Sequence, residues 1–556
     1  MTVRGLLESR AFPWLVLPVL WAIAYLPDMG LRNLRLEEGR RAGPAREMLR
    51  TGDFLLPTIY GEPYLSKPPL YFWAVAAVGA IRGTVDETTV RIPAAVAALL
   101  GAWAVVLFAP AQLPRVARHL AALLLLSGIP WLDKGNLGEI ETLFCLLVFA
   151  ALAAWWNGSD DDGPTPQAWL WSGVWLSLAV LTKGPPALVL FYIPVIAYLA
   201  RQRRLLRLFD PAHALSLLIT LVPLAIWVVQ ILDRFAPDDI AGVFGWWKQQ
   251  MGMGEHRHPE AYSEHLLNFP VGSLANFAPW GIFALSFLVP AWRRAMGYPE
   301  PLRRFLMCAI VPTFVFFWLW PISRPRHMML VWFPAAILAA GSLEYGIRVA
   351  FADRLRPFVR ALAYFAAATI AGAGVVGAGI AWFLAPKVLP GSIAAAVVMS
   401  LLSAAAVWLL RRSPTGDNPS VNAVALGAVA MLTGWAAVML PVARHLARND
   451  PLRPLRIKLE ETLPGDGRPV YTVFSFPWRG EGWFNLHFYA GAGVRQMWSI
   501  EDLPIGESVI AIFDLGELQR RRAARDCLIR VLGEVGRLPG QEETVIVVEV
   551  TRLPRR

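Results

Sequence analysis

The sequence predicts an α-helical polytopic membrane protein with a small α/β domain at its C-terminal end. Three observations predict it: repeated apolar stretches approaching a bilayer's thickness, intervening segments that differ in their share of basic residues, and a change of composition after residue 441. Hydrophobic residues make up 56% of the 556 and charged residues 17%, against about 25% charged in soluble domains. This excludes a soluble globule, a disordered chain and a secreted disulfide scaffold. The formal charge of +11 is compatible with nucleic acid, anionic lipid or orientation-setting loops, and the placement of the charges decides among them. Cys145, Cys308 and Cys527 lie far apart, without metal spacing or a disulfide framework.

A spanning helix needs about 20 mostly apolar residues. Candidates run over 12–28, 90–109, 119–131, 140–156, 168–181, 185–200, 213–232, 272–291, 303–320, 327–344, 358–385, 391–410 and 419–441. The Ala22-x-Ala24 pattern allows a signal-peptide reading of the first, but apolar residues continue to Met29. The stretch 68–83 is shorter than a bilayer is thick. Basic residues cluster at 1–10, 110–118, 201–211, 292–304, 345–361 and 411–418, and these segments share the cytoplasmic side only if 68–83 does not cross. It therefore reads as an interfacial helix, leaving about thirteen spans, a cytoplasmic N-terminus and an outer 442–556.

The expected organisation is a transmembrane module, 1–441, with long outer loops at 31–67 and 233–271, followed by an extracytoplasmic α/β domain, 442–556. In that domain Arg468–Phe474, Trp483–Tyr489, Ser508–Phe513 and Thr544–Val550 read as strands, and Leu515–Leu538 reads as an amphipathic helix.

Charges on the outer side are the informative ones, because orientation statistics disfavour basic residues there. The loop 31–67 holds Arg32, Arg35, Glu37, Glu38, Arg40, Arg41, Arg46, Glu47, Arg50, Asp53, Glu62 and Lys67. Short outer turns add Asp133, Lys134, Glu139, Glu141 and Lys183, then Arg324, Arg326 and His327. Turns this short hold their charges at the headgroup level. Anchoring to anionic lipid explains single cations; cations interleaved with acids suit an anionic, lipid-linked substrate with a carboxylate available as base.

The run Leu36-Glu37-Glu38-Gly39-Arg40-Arg41-Ala42-Gly43-Pro44-Ala45-Arg46-Glu47-Met48-Leu49-Arg50-Thr51-Gly52-Asp53, followed by Gly61-Glu62-Pro63-Tyr64-Leu65-Ser66-Lys67-Pro68-Pro69, resembles the first outer loop of GT-C glycosyltransferases. These include the lipid A aminoarabinose transferases and protein O-mannosyltransferases. The resemblance continues at Gly138–Phe144, Thr182–Pro185 and Ser323–His327 and fades through the last spans. It implies a GT-C membrane glycosyltransferase with a polyprenyl-phosphate sugar donor, an inverting transfer to a lipid or glycan acceptor, and residence in the cytoplasmic (inner) membrane. The acceptor is lipid A, another envelope glycan or a protein hydroxyl. No nucleic acid partner is implied.

The resemblance implies that Glu37, where the family carries Asp, deprotonates the acceptor. Glu38 is the alternative base, and a structural pairing of Glu37 with Arg40 or Arg41 is the alternative role. Arg41 replaces an aromatic residue of the family. Lys67 corresponds to a lysine implicated in binding the donor's phosphate, and Pro68 and Pro69 restrict the backbone beside it. Arg324, Arg326 and Lys183 are further phosphate-binding candidates, with a helix-end cap as the structural reading of Lys183. On a regular helix Glu139 and Glu141 differ by about 200°; Glu141 is expected to face the core, in an ion pair or against substrate. In the second loop His258 and Tyr262 are candidate sugar or phosphate contacts. His256, His258 and His265 have the residue types of a metal site, but nothing fixes their mutual geometry and no metal or other cofactor is assigned. The Asp160-Asp161-Asp162 run reads as a solvated inner loop. A lipid-linked sugar transporter is the rival from another class, although transporters tend to show internal repeats and broken helices near the bilayer midplane.

Overall fold

The computed structural model describes residues 3–235, 259–277, 280–285, 298–321, 323–345, 419–466, 468–473, 481–491, 493–497, 507–515, 527–538 and 544–553, with isolated positions between 361 and 408. The chain forms two compact units, Met1–Asp28 with Ala94–Val442, and Met29–Pro93 with Ala443–Arg556. One unit boundary falls beside the expected division at 441/442. The first long loop and the helix after it belong with the C-terminal segment, whereas the sequence grouped them with the spans.

The first unit is built of helices, including Arg115–Leu126, Glu141–Asn157, Pro166–Lys183, Pro186–Arg201, Pro211–Leu232 and Glu300–Leu319. Three of these open on proline, whose missing N–H is no loss in a first turn. Pro166–Lys183 and Pro211–Leu232 approach closely because position 173 is glycine: a Cβ there would lie 2.9 Å from the Ser216 carbonyl oxygen. Phe305 stacks on Trp156 at 4.7 Å and Trp155 at 5.7 Å, tying Glu300–Leu319 to Glu141–Asn157. Among the described residues four helices are long and apolar enough to cross a membrane, or five if Arg115–Leu126 and Ile129–Gly135, bent by 58°, form one span. Phe12–Tyr25, Glu141–Asn157 and Pro186–Arg201 are shorter apolar helices. The candidates 358–385 and 391–410 lie outside the described residues apart from isolated positions. Pro211–Leu232 exposes Leu218, Ile226 and Val229, an apolar face suited to lipid.

Asp160 and Gly163 pair in a small hairpin, with the backbone oxygens of Asp161 and Asp162 taken by Arg204 and Arg207. The three aspartates are exposed, as a solvated loop requires.

In the second unit five strands, β1 (Val470–Val473), β2 (Arg495–Met497), β3 (Ser508–Asp514), β4 (Cys527–Arg537) and β5 (Thr544–Arg552), form one sheet in the order β2-β1-β3-β5-β4. β1 runs parallel to β2 and β3, and β5 runs antiparallel to β3 and β4. Ile510, Ile512, Val545 and Val547 face Leu455, Leu459, Trp483 and Leu486, while Val509, Ala511, Phe513, Ile546 and Val548 fill the other face. Burial on both faces explains why β3 and β5 read as nearly continuous apolar runs.

Two expectations need correction. Trp483–Tyr489 lies in a helix, Glu481–Tyr489, that packs Trp483 and Leu486 against the sheet; its aromatic-rich run also satisfies a strand pattern. Within Leu515–Leu538, expected as one helix, Cys527–Arg537 is strand β4. Irregularities at Val531/Gly533 and Glu534/Gly536 interrupt its alternation, and they blur the period of 2 that marks a strand. The stretch 68–83, expected to lie at the interface, forms the helix Leu70–Arg82.

Candidate functional site

The acid pair begins the first long loop's structure. Leu36–Glu38 form a single 3-10 turn that runs into the helix Gly39–Thr51. Leu36 adopts φ +52°, a left-handed conformation that costs a residue with a Cβ roughly 1–2 kcal/mol. The turn then sends the two glutamates to different surroundings.

Glu38 is fully buried against Arg91, itself fully buried. Arg91 Nε donates to Oε1 at 2.7 Å and Nη2 to Oε2 at 2.7 Å, a bidentate pair. Oε2 also accepts the Arg35 N–H at 3.0 Å. Arg91 further donates to the carbonyls of Met29, Arg32 and Asn33. Glu38 is therefore a structural anchor of the loop's entry. Both oxygens of this alternative base are engaged away from solvent.

Glu37 remains partly open, with its side chain 26% exposed. Arg40 Nη1 donates to Oε1 at 3.0 Å and Arg41 Nη2 to Oε2 at 3.3 Å, from positions i+3 and i+4 on the helix face. The pairing with Arg40 and Arg41 that the sequence offered as an alternative role is present, and it leaves the carboxylate reachable. Arg41 is nearly buried, and Arg40 lies over the Phe484 ring, 4.6 Å from its centroid.

The rest of the loop is held by its own polar groups. Glu47 accepts from Thr58 Oγ1 at 2.6 Å and from the Gly61 N–H, fixing the hairpin of Thr58–Ile59 with Glu62–Pro63. Arg46 donates to the Phe488 and Gly491 carbonyls. Met48, Ile59, Tyr60, Tyr64, Phe72, Phe484 and Val494 form the core beneath, and burial pushes the Tyr60 phenol well above its ordinary value. Lys67, half-buried, follows the hairpin and stands before the helix Leu70–Arg82.

In the helical unit a second charged set sits around the turn that precedes Glu141–Asn157. Lys134 bonds Glu139 Oε2 at 2.9 Å, and Lys183 pairs with Glu141 at 3.4 Å while lying 5.1 Å from the Phe144 ring centroid. The helix begins at Glu141, so Glu139 belongs to the preceding turn and no single helical wheel relates the two acids. Glu139 is the more deeply buried at 2% exposure, which corrects the expectation that Glu141 faces the core. Burial first, and then the neighbouring Glu141, push the Glu139 carboxyl above the ordinary carboxylate range, against Lys134 and Arg326. Arg324 is exposed and Arg326 half-buried; the Arg324 N–H donates to His327 Nδ1 at 3.1 Å.

Tyr262 lies in the helix Pro259–Asn276. Its hydroxyl donates to the Leu319 carbonyl at 3.2 Å and its ring stacks on His265. His258 and His256 lie outside the described residues. Among the described residues no group of three metal-binding side chains occurs.

A family model described as dolichyl-phosphate-mannose-protein mannosyltransferase matches residues 66–227, which include Lys67, Arg91, Glu139, Glu141 and Lys183. The crystal structure of ArnT from Cupriavidus metallidurans in the apo state superposes with a TM-score of 0.71 at 20% identity, covering 97% of this chain and 98% of that one. The form bound to undecaprenyl phosphate gives 0.67 at 19% identity, with the same coverage. The chain has the GT-C fold. Sequence relatives agree with that fold. The undecaprenyl phosphate-alpha-4-amino-4-deoxy-L-arabinose arabinosyl transferase of Edwardsiella ictaluri is 27% identical over 340 residues, 60% of this chain and 59% of that protein. Its counterpart from Erwinia tasmaniensis is 25% identical over 434 residues, 77% of this chain and 71% of that protein.

Several residues that organise this candidate site were not singled out from sequence. Arg91 was legible in principle: an arginine at the mouth of an apolar helix must find a partner, and Glu38 is that partner. Asn485, Phe484 and Tyr489 carry no such signal, because their role depends on a contact across more than 400 positions of sequence.

Proposed function

We propose that this protein transfers a sugar from a polyprenyl-phosphate donor to an acceptor hydroxyl or phosphate at the outer face of the cytoplasmic membrane, with inversion. The observation that carries this reading is the Glu37 carboxylate, 26% exposed and held on both oxygens by Arg40 and Arg41. It stands in a chain whose fold and sequence resemble enzymes named for such donors. Glu37 takes the acceptor's proton, the freed oxygen attacks the anomeric carbon, and the bond from that carbon to the phosphate oxygen breaks. Lys67 stabilises the negative charge that grows on the departing lipid phosphate, and Arg324, Arg326 and Lys183 are further candidates for phosphate binding. The acceptor class proposed first is an envelope glycolipid such as lipid A, as the first loop's resemblance to lipid A aminoarabinose transferases implies. The mannosyltransferase description of the family model supports a protein hydroxyl as the second reading.

The test is purified protein in liposomes with a synthetic polyprenyl-phosphate sugar. Transfer or release of the sugar is expected; movement of the donor between leaflets without bond cleavage would support the transporter instead. Lys67→Ala should weaken donor affinity about 10- to 100-fold, as loss of a hydrogen bond between charged groups worth roughly 1.5–3 kcal/mol implies. Unchanged affinity would remove Lys67 from the phosphate site.

A further inference from the structure

The helix Glu481–Tyr489 has two faces with different tasks. Trp483 and Leu486 pack against the sheet. Phe484, Asn485, Phe488 and Tyr489, at positions i, i+1, i+4 and i+5, share the opposite face, and each of them meets the loop that carries the acid pair. The Phe484 ring lies under Arg40 at 4.6 Å and the Phe488 ring under Arg46 at 3.9 Å. The Tyr489 hydroxyl accepts the Leu34 N–H at 2.7 Å.

Asn485 makes the most pointed of these contacts. Its Oδ1 accepts the Gly39 N–H at 2.9 Å, and its Nδ2 donates to the Leu36 carbonyl at 3.3 Å. Glu37 and Glu38 are the two residues between those peptide groups. The amide is buried, at 2% exposure, so water does not compete for these bonds. A Cβ on Gly39 would lie 2.5 Å from Asn485 Oδ1; the approach requires glycine. Leu36, one end of the bracket, holds the left-handed φ of +52° that turns the chain into the acid pair. Glu38 is separately fastened by Arg91, so the amide bracket is left to set the backbone from which Glu37 projects.

We propose that Asn485 is a positioning residue for Glu37: one side-chain amide, supplied from the C-terminal segment, fixes the peptide groups on either side of the acid pair and so aims the Glu37 carboxylate. The inference rests on the reading of Glu37 as the base, and it gives the segment 443–556 a direct part in turnover. Misplacement of a reacting group by about 1 Å can cost on the order of 100-fold in rate.

The test uses the full-length protein in liposomes with a polyprenyl-phosphate sugar and its acceptor. Asn485→Ala should lower kcat about 10- to 100-fold with donor KM unchanged, per molecule retaining the wild-type thermal midpoint. Asn485→Asp keeps an acceptor for Gly39 but loses the donor to Leu36, and should fall between the two. Gly39→Ala, which pushes the same contact apart from the loop side, should reproduce the kcat defect and decides the matter if the Asn485 variants fail to fold. Wild-type kcat in folded Asn485→Ala, or in folded Gly39→Ala, would overturn the proposal. Glu37→Gln run in parallel separates the two ideas: its normal turnover would remove the base itself, whereas an inactive Glu37→Gln beside a fully active Asn485→Ala would remove only the positioning role.

Discussion

Glu37 and Glu38 are neighbours of the same type on the same turn, yet they occupy opposite environments. Glu38 has lost its water and gained a bidentate arginine, also fully buried. Glu37 keeps 26% of its side chain exposed, and the two arginines that hold it come from its own helix face. A charge buried with its partner specifies structure; a charge held at the surface of a fixed loop is available for chemistry. The difference arises from one φ angle and one turn, which send consecutive side chains in different directions, rather than from the residue type.

The contrast can be broken most severely through stability. Glu38→Ala leaves Arg91 charged, buried and without its carboxylate, and should destabilise the fold by about 3–5 kcal/mol. Glu37→Ala should cost no more than about 1 kcal/mol, because partly exposed pairs contribute little. Thermal unfolding of both variants followed by intrinsic tryptophan fluorescence makes the comparison, and equal losses would erase the distinction. Replacing Glu38 and Arg91 together by apolar residues should recover part of the loss, since removal of both charges is milder than removal of one.

A smaller effect sharpens the same comparison in the helical unit. The carboxyl of Glu139 is raised above its unfolded value. Its folded form thus holds the proton more tightly, so its contribution to stability is fully present below the ordinary carboxylate range and is lost as pH rises through the folded value. Melting temperature should fall with rising pH across that window in the wild type. The slope should flatten in Glu139→Gln, and an identical slope in both would contradict the assignment.

Much of this arrangement was legible in the sequence. The loop 31–67, the short apolar stretch that became Leu70–Arg82 and the strands β1, β3 and β5 follow from composition, charge placement and apolar runs, which are local signals, whereas the acid pair stood out through the loop's resemblance to a known family. What was not legible depends on distant partners. Glu38 and Glu37 look equivalent until Arg91 is placed beside one of them. Glu139 and Glu141 were read on one helical wheel, whereas the helix begins at Glu141 and Glu139 lies in the turn before it. The helix Glu481–Tyr489 passes for a strand because aromatic side chains suit both periods, and its face toward the loop exists only once the C-terminal segment and residues 29–93 fold as one unit. Irregularities in β4 likewise hid an edge strand behind a helical pattern.

On the proposed function Glu37, and not Glu38, takes the acceptor's proton. Glu37→Gln preserves size and one acceptor oxygen while removing the basic carboxylate. The direct measurement is sugar transfer by this variant in liposomes, beside donor binding and melting temperature on the same preparation. Transfer reduced by at least about 100-fold, with donor binding and melting temperature near wild type, is the expected result. Transfer at the wild-type rate by the folded Glu37→Gln protein would contradict the account and place the base elsewhere.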